Sequence, residues 1–207
     1  MEKEISQSKP SGFTLLELLI VIGILAVLAT VTVLVLNPAE LLRQARDSQR
    51  VSDLATLNGA LSLYLTSVNP VVLDAGGTRC KGDAGVDSCF VDNTGLTGAA
   101  NTCEGAFPTS LGKVALATKG VAGTDGWLPV NLGAISGGSP IPALPRDPTL
   151  GTSNFYGYMC DYTGGVTTYK LATVLESVKY RTTDDLDGKD GNNNNFYETG
   201  TDPGLDL

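Results

Sequence analysis

The feature that most constrains this chain is an apolar run near its N-terminus that contains a single charge. The run covers residues 13–36, within the segment GFTLLELLIVIGILAVLATVTVLVLNP, and its one charged residue is Glu17. A helix over these 24 residues would be about 36 Å long, slightly more than the hydrocarbon thickness of a membrane. A lone carboxylate is costly in that layer, so its presence there indicates a function.

A second helical pattern follows the apolar run and argues against a secretory signal peptide, in which the apolar region is shorter and precedes the cut. Beyond Pro38, apolar residues recur at spacings of three and four, which is typical of an amphipathic helix. These residues are Leu54, Leu57, Leu61, Tyr64, Leu65 and Val68. We therefore predict a membrane-spanning half over 13–36 and an amphipathic half over 37–68, with Pro38 kinking or loosening the helix between them.

The first turns after Pro38 are rich in charge and are expected to be solvated. Their charged residues include Arg43, Arg46, Asp47 and Arg50. In this interpretation the buried face of the helix begins only after these residues, at Leu54.

The segment GFTLLELLIVIGILAVLA resembles the N-terminus of type IV pilins and of the pseudopilins of type II secretion systems. The resemblance implies that residues 1–12 are a leader, which a prepilin peptidase removes after Gly12 before Phe13 is N-methylated. It also implies that Glu17 is the assembly residue, acting together with Phe13. Electrostatics agrees with this role. Cleavage creates an amine at Phe13, and the amine and the Glu17 carboxylate can neutralise each other between neighbouring subunits.

The function that the resemblance implies is structural and not enzymatic: a subunit of a type IV pilus or of a type II secretion pseudopilus. Its partners would be copies of itself and other pilins, the prepilin peptidase and methylase, an inner-membrane assembly platform and, before assembly, membrane lipid. The precursor would cross the bacterial inner membrane once, with its globular part outside the cytoplasm, before joining a filament. The leader MEKEISQSKPSG has two Lys and two Glu, so this orientation follows from the resemblance and not from charge.

A membrane-anchored extracytoplasmic binding protein or enzyme, unrelated to filaments, is the alternative. Its working site would be the acidic C-terminal loop or the S-x-x-K pair of Ser110 and Lys113, a spacing found in penicillin-binding enzymes. The chain has no histidine, which removes the commonest general base and transition-metal ligand. Acids outnumber bases 22 to 14, so a nucleic-acid partner is not expected.

Residues 69–207 are predicted to form a globular domain that completes an α+β, pilin-like fold, in which the long N-terminal helix packs on a small antiparallel sheet. Alternating β-formers on both sides of Gly164-Gly165 predict a β-hairpin. They are Tyr156, Tyr158, Cys160 and Tyr162 before the turn, and Thr167, Tyr169, Leu171, Thr173 and Leu175 after it. KVALAT and WLPVNL are candidate strands or a short helix, and the proline-rich SPIPALPRDP predicts an extended crossover. The order of LPRDP, an aromatic strand and YKLATVLES is similar to the C-terminal sheet of major, G-type pseudopilins.

The four cysteines are predicted to form disulfides, because the globular part is expected outside the cytoplasm. They are Cys80, Cys89, Cys103 and Cys160. None of them forms a CxxC pair, so a zinc site is poorly supported. Among the three possible connectivities, we expect a Cys80–Cys89 bridge and a Cys103–Cys160 bridge.

The acidic C-terminal loop over 184–207 is a candidate calcium site, because crowded carboxylates repel unless a cation lies between them. The EF-hand template fails. Counted from Asp187, Glu198 is at the twelfth position, but Lys189 and Gly191 take the third and fifth. Major pseudopilins carry a calcium-binding loop near the C-terminus, so the resemblance also implies calcium, and the alternative is a solvated, partly disordered tail. The candidate ligands are Asp184, Asp185, Asp187, Asp190 and Asn192.

Overall fold

The structure is a computed structural model, which describes residues 12–74, 76, 79–82, 88–95, 112–115, 118–123, 125–151, 153–163, 166–189, 191, 193–202 and 204. Its helices are α1 (Leu15–Leu36), α2 (Pro38–Ser67) and the short α3 (Leu186–Lys189). The strands are β1 (Ser88–Val91), β2 (Gly112–Ala115), β3 (Tyr156–Asp161), β4 (Thr168–Thr173) and β5 (Tyr197–Gly200). The chain forms two compact units, one that ends at Leu41 and one that begins at Leu42.

The predicted disturbance at Pro38 is a one-residue break between α1 and α2. Asn37 has a left-handed backbone with φ of 40°, a conformation that Asn tolerates better than most residues. Pro38 cannot donate to the preceding turn, so α1 ends before it. The break also starts the next helix, because the backbone carbonyl of Asn37 accepts a hydrogen bond from the Glu40 backbone N–H at 3.0 Å.

α1 is apolar on every side, and none of its side chains is buried. By length and composition it can cross a membrane, and it lies in the one helical stretch among the described residues that meets this test. A helix without a polar face exposes apolar side chains to water in every orientation. Such a helix is suited to lipid or to contact with other apolar helices.

The sheet has five strands in the order β2-β1-β3-β4-β5. The predicted hairpin is confirmed, because β3 and β4 pair antiparallel with Tyr158 opposite Leu171. β1 also pairs antiparallel with β3, and β5 pairs antiparallel with β4. The α+β class is confirmed as well, with one addition: β2, which lies within KVALAT and its preceding glycine, pairs parallel with β1 at one edge. The other candidate segment, WLPVNL, contributes no strand and leads into a 3-10 turn at Leu132–Ala134.

α2 supplies one side of the core with the predicted apolar stripe. Leu54, Leu57 and Leu61 are fully buried, each worth roughly 1.5–3 kcal/mol of transfer free energy. The stripe continues with Tyr64, which is buried, and with Leu65 and Val68, which pack partly buried against the core. Tyrosines of the sheet reach the same helix through their hydroxyls. The Tyr169 hydroxyl donates to the Asn58 side-chain oxygen at 2.6 Å.

A strap over residues 72–74 is held by three tyrosine hydroxyls. Tyr64 donates to the Val72 carbonyl at 3.0 Å, and Tyr158 donates to the Leu73 carbonyl at 2.9 Å. The Leu73 N–H in turn donates to the Tyr162 hydroxyl at 2.6 Å. These tyrosines lie on α2, on β3 and just after β3. The strap is therefore fixed to both the helix and the sheet of the unit over Leu42–Leu207, which we call the head.

The strap leads to a disulfide that corrects our predicted connectivity. Cys80 is bonded to Cys160, so both the Cys80–Cys89 and the Cys103–Cys160 predictions are wrong. The Lys81 N–H donates to the Cys160 carbonyl at 2.9 Å, which places Cys80 beside β3. Cys89 is also disulfide-bonded, and Cys103 lies outside the described residues.

Replacing Cys80 and Cys160 together by serine is expected to lower the free energy of unfolding of the head by about 2–4 kcal/mol, because the bridge closes a long loop in the unfolded chain. Urea titration of the full chain in detergent micelles measures the change. The fluorescence of Trp127 reports it, since this residue is the only tryptophan and is fully buried. An unchanged urea midpoint would contradict a stabilising role for the bridge.

Candidate processing and assembly site

The Gly12–Phe13 peptide bond lies in exposed, non-helical chain just before α1. Phe13 is 81 % exposed, and α1 begins two residues later at Leu15. A Cβ atom placed at Gly12 would meet no atom within 4 Å among the described residues beyond its chain neighbours. The bond is therefore accessible to an enzyme, and a substitution at Gly12 does not disturb the fold described here.

Thr14 is the N-cap of α1, a role that our sequence reasoning missed. Its backbone is extended, and its side-chain oxygen accepts a hydrogen bond from the Glu17 backbone N–H at 3.2 Å. Thr-x-x-Glu is the capping-box pattern, so the signal was present in the sequence. The cap places Glu17 in the first helical turn, where unpaired backbone N–H groups stabilise a negative charge.

The structure thus brings the three predicted processing and assembly residues to one helix end. Gly12, Phe13 and Glu17 are all exposed, and no charged residue follows Glu17 in α1. Cleavage after Gly12 would create an amine at Phe13, one residue before the cap. This end then presents a cation and a carboxylate within one turn, and both are open to a neighbouring molecule.

A second group of charges lies in the head and is buried around Arg50 on α2. The Arg50 guanidinium binds Asp147 through two hydrogen bonds, at 2.7 and 3.0 Å. It also donates to Asp47 at 2.8 Å and to Glu176 at 2.5 Å. Arg50, Asp47 and the side chain of Asp147 have no exposed area. We call the group formed by Arg46, Asp47, Arg50, Asp147 and Glu176 the Arg50 cluster.

The Arg50 cluster joins three distant parts of the sequence. Asp47 accepts from the backbone N–H groups of Glu176 and Ser177, at 3.0 and 2.7 Å, so α2 holds the segment after β4. Asp147 belongs to the proline-rich segment. Our expectation that the first turns of α2 are solvated is therefore wrong for Asp47 and Arg50. Their partners lie about 100 or more residues away, beyond the reach of a helical pattern.

The ionisation of the cluster follows from these contacts. Burial acts to lower the pKa of Arg50, but its hydrogen bonds and attraction to Asp147 outweigh this and raise it. Burial likewise acts to raise the pKa of Glu176. The hydrogen bonds from Arg46 and Arg50 win there and lower it. Both partners are therefore held in their charged forms.

Asp92 supports the cluster from the end of β1. Its carboxylate accepts hydrogen bonds from the backbone N–H groups of Asp147 and Tyr156, at 2.7 and 2.8 Å. It therefore fixes the position of Asp147, which binds Arg50. Burial raises the pKa of Asp92 to about 6, against the opposing effect of these two hydrogen bonds. The carboxylate is a rigid link between β1, β3 and the proline-rich segment.

The acidic candidates for calcium are only partly described. Asp184, Asp185 and Asp187 lie around the π turn at Lys179–Thr183 and α3, whereas Asp190 and Asn192 lie outside the described residues. Among the residues that the structure describes, no group of three His, Cys, Asp or Glu side chains is placed to hold a metal ion. Of the alternative S-x-x-K pair, Ser110 lies outside the described residues, and Lys113 is described only as part of the backbone of β2.

Comparison with known proteins gives one result at the N-terminus. A family model described as the prokaryotic N-terminal methylation motif matches residues 7–33. No curated protein and no solved structure matches the chain. The matched range includes Gly12, Phe13, Thr14 and Glu17, the residues that the structure brings together at the start of α1.

Proposed function

We propose that the protein is a structural subunit of a type IV pilus or a type II secretion pseudopilus. The match of residues 7–33 to the prokaryotic N-terminal methylation motif supports this proposal, as does the resemblance of this segment to the N-terminus of type IV pilins and pseudopilins. Prepilin peptidase cleaves the precursor after Gly12, and Phe13 is then methylated. The mature chain polymerises through α1. The observation that carries this proposal is the lone Glu17 in the first turn of an otherwise apolar, unburied helix.

The proposal explains the presence of a carboxylate in an apolar helix. The free amine at Phe13 and the carboxylate of Glu17 are each costly in lipid. In a filament, the Glu17 carboxylate of one subunit pairs with the Phe13 amine of the next. Such a pair contributes little net stability, but leaving either charge unpaired is strongly unfavourable. The pair therefore selects one axial register between subunits.

The head would lie outside the cytoplasm. The Cys80–Cys160 disulfide supports this orientation, because disulfides persist in oxidising compartments. The inner membrane holds the precursor through α1 until an assembly platform passes the subunit to the filament. Surface fibres would identify a pilus, and fibres confined to the cell envelope would identify a pseudopilus.

Mass spectrometry of the chain purified from its native membrane tests the processing step. The mature protein is expected to begin at N-methylated Phe13. Gly12→Leu is expected to keep the leader attached, because a bulky residue at the cut blocks the peptidase. Gly23→Leu is the matched control, since Gly23 is also exposed and has open space around it. This variant should be processed normally.

Two results would contradict the proposal. One is an intact precursor in cells that contain a prepilin peptidase. The other is a cut within the apolar run, near Ala26 or Ala29, which would indicate an ordinary signal peptide.

A further inference from the structure

Three carboxylates of the acidic C-terminal segment have basic partners within the protein. Asp184 pairs with Lys179 at 2.7 Å, and Asp187 pairs with Arg181 at 3.1 Å. The third pair joins Glu198 on β5 to Lys170 on β4 at 2.6 Å. Thus two of the three described calcium candidates, together with the glutamate at the twelfth position from Asp187, already lie against a cation.

The Lys170–Glu198 pair is the most deeply placed of the three. Both side chains are almost completely buried. Glu198 on β5 pairs with Ala172 on the neighbouring strand β4, which also carries Lys170. One carboxylate oxygen of Glu198 contacts the ammonium, and the other accepts from the Asn193 backbone N–H at 3.2 Å. The carboxylate thus fastens the 193–196 loop to the sheet, which is what a bidentate glutamate does through the metal in a calcium loop.

A calcium ion does not fit this arrangement. It needs six to eight oxygen ligands, and the Lys170 ammonium holds the glutamate that would supply two of them. A divalent ion beside the buried ammonium would also face like-charge repulsion in a medium that screens poorly. The neighbouring cavity, of about 510 Å³, is lined by Asp185, Asp187 and Asn194, but Arg181 lines it too. The Arg181 guanidinium forms an ion pair with Asp187.

We propose that this protein replaces the calcium ion implied by its resemblance to major pseudopilins with its own basic side chains. The Lys170 ammonium takes the central place, and Arg181 and Lys179 neutralise the acids of the preceding turn. The C-terminal segment therefore keeps its fold when calcium is removed. A head of this kind is indifferent to the calcium level outside the cell.

Thermal unfolding of the full chain in detergent micelles tests the proposal, with Trp127 fluorescence as the signal. The midpoint in millimolar calcium chloride is expected to agree with the midpoint in excess EDTA within about 1 °C. A bound calcium ion at about 100 times its dissociation constant would raise the midpoint by roughly 5–10 °C. A rise of that size in calcium, with none in magnesium, would overturn the proposal.

A lysine variant tests the role of the ammonium directly. Lys170→Met should lower the unfolding midpoint by roughly 10 °C, because it leaves Glu198 buried without its cation. Lys81→Met is the matched control, since Lys81 pairs with Asp161 at 3.7 Å and is 42 % exposed. This variant should change the midpoint by no more than about 2 °C. Equal midpoints for Lys170→Met and the unmodified protein would contradict the proposal. If Lys170→Met does not fold, the comparison of unfolding midpoints in calcium chloride and in EDTA, made on the unmodified chain, still tests the proposal.

Discussion

Glu17→Gln is expected to abolish filament assembly while leaving the processing and the fold of the head unchanged. The amide has almost the same shape as the carboxylate, so α1 keeps its packing and its cap. It has no charge, however, and the amine at Phe13 of the neighbouring subunit then enters an apolar layer without a counter-ion. A cost of about 3–5 kcal/mol for each unpaired charge is repeated at every subunit.

Filaments sheared from cells and viewed by electron microscopy measure this effect. Mass spectrometry of the membrane fraction should still find the chain cut before Phe13, and Trp127 fluorescence should report a folded head. Glu40→Gln is the matched control, since Glu40 is also an acid in the first turn of a helix. That variant should assemble. Normal filament yield from Glu17→Gln would refute the charge-pairing mechanism.

Arg50→Met is expected to lower the free energy of unfolding of the head by about 3–5 kcal/mol. Methionine fills much of the same volume, so the loss comes mainly from charge. Asp47 and Asp147 would remain buried without the guanidinium that neutralises them. Urea titration followed by Trp127 fluorescence measures the loss in the full chain.

Arg46→Met is the matched control for this variant. Arg46 lies one turn earlier on α2, and its side chain is 31 % exposed while pairing with Glu176. Its loss should cost at most about 1 kcal/mol. If Arg50→Met proved no more harmful than Arg46→Met, the buried Arg50 would stabilise the head no more than the partly exposed member of the same cluster does.

Local patterns predicted the parts of the fold that depend on local chemistry. The three- and four-residue spacing from Leu54 to Tyr64 identified the buried face of α2, and alternation around Gly164-Gly165 identified the β3–β4 hairpin. In both cases the signal lies within a few residues of the structure that it predicts. The assembly role of Glu17 stays a prediction.

The errors concern contacts between residues far apart in the sequence. Cys80 meets Cys160 because a tyrosine-bound strap carries it to β3, and cysteine spacing holds no information about that path. Arg50 is buried because Asp147, in the proline-rich segment, binds its guanidinium. A helical pattern does not include such a distant partner, so it predicts a solvated arginine.

The absence of any buried side chain in α1 has a consequence for how the two parts of this chain can change. Among the described residues, the core comes only from the unit that begins at Leu42. α1 keeps an apolar surface along its length, whereas the unit from Leu42 depends on how well its own interior packs. The surface of that unit can therefore vary widely as long as its core residues are kept.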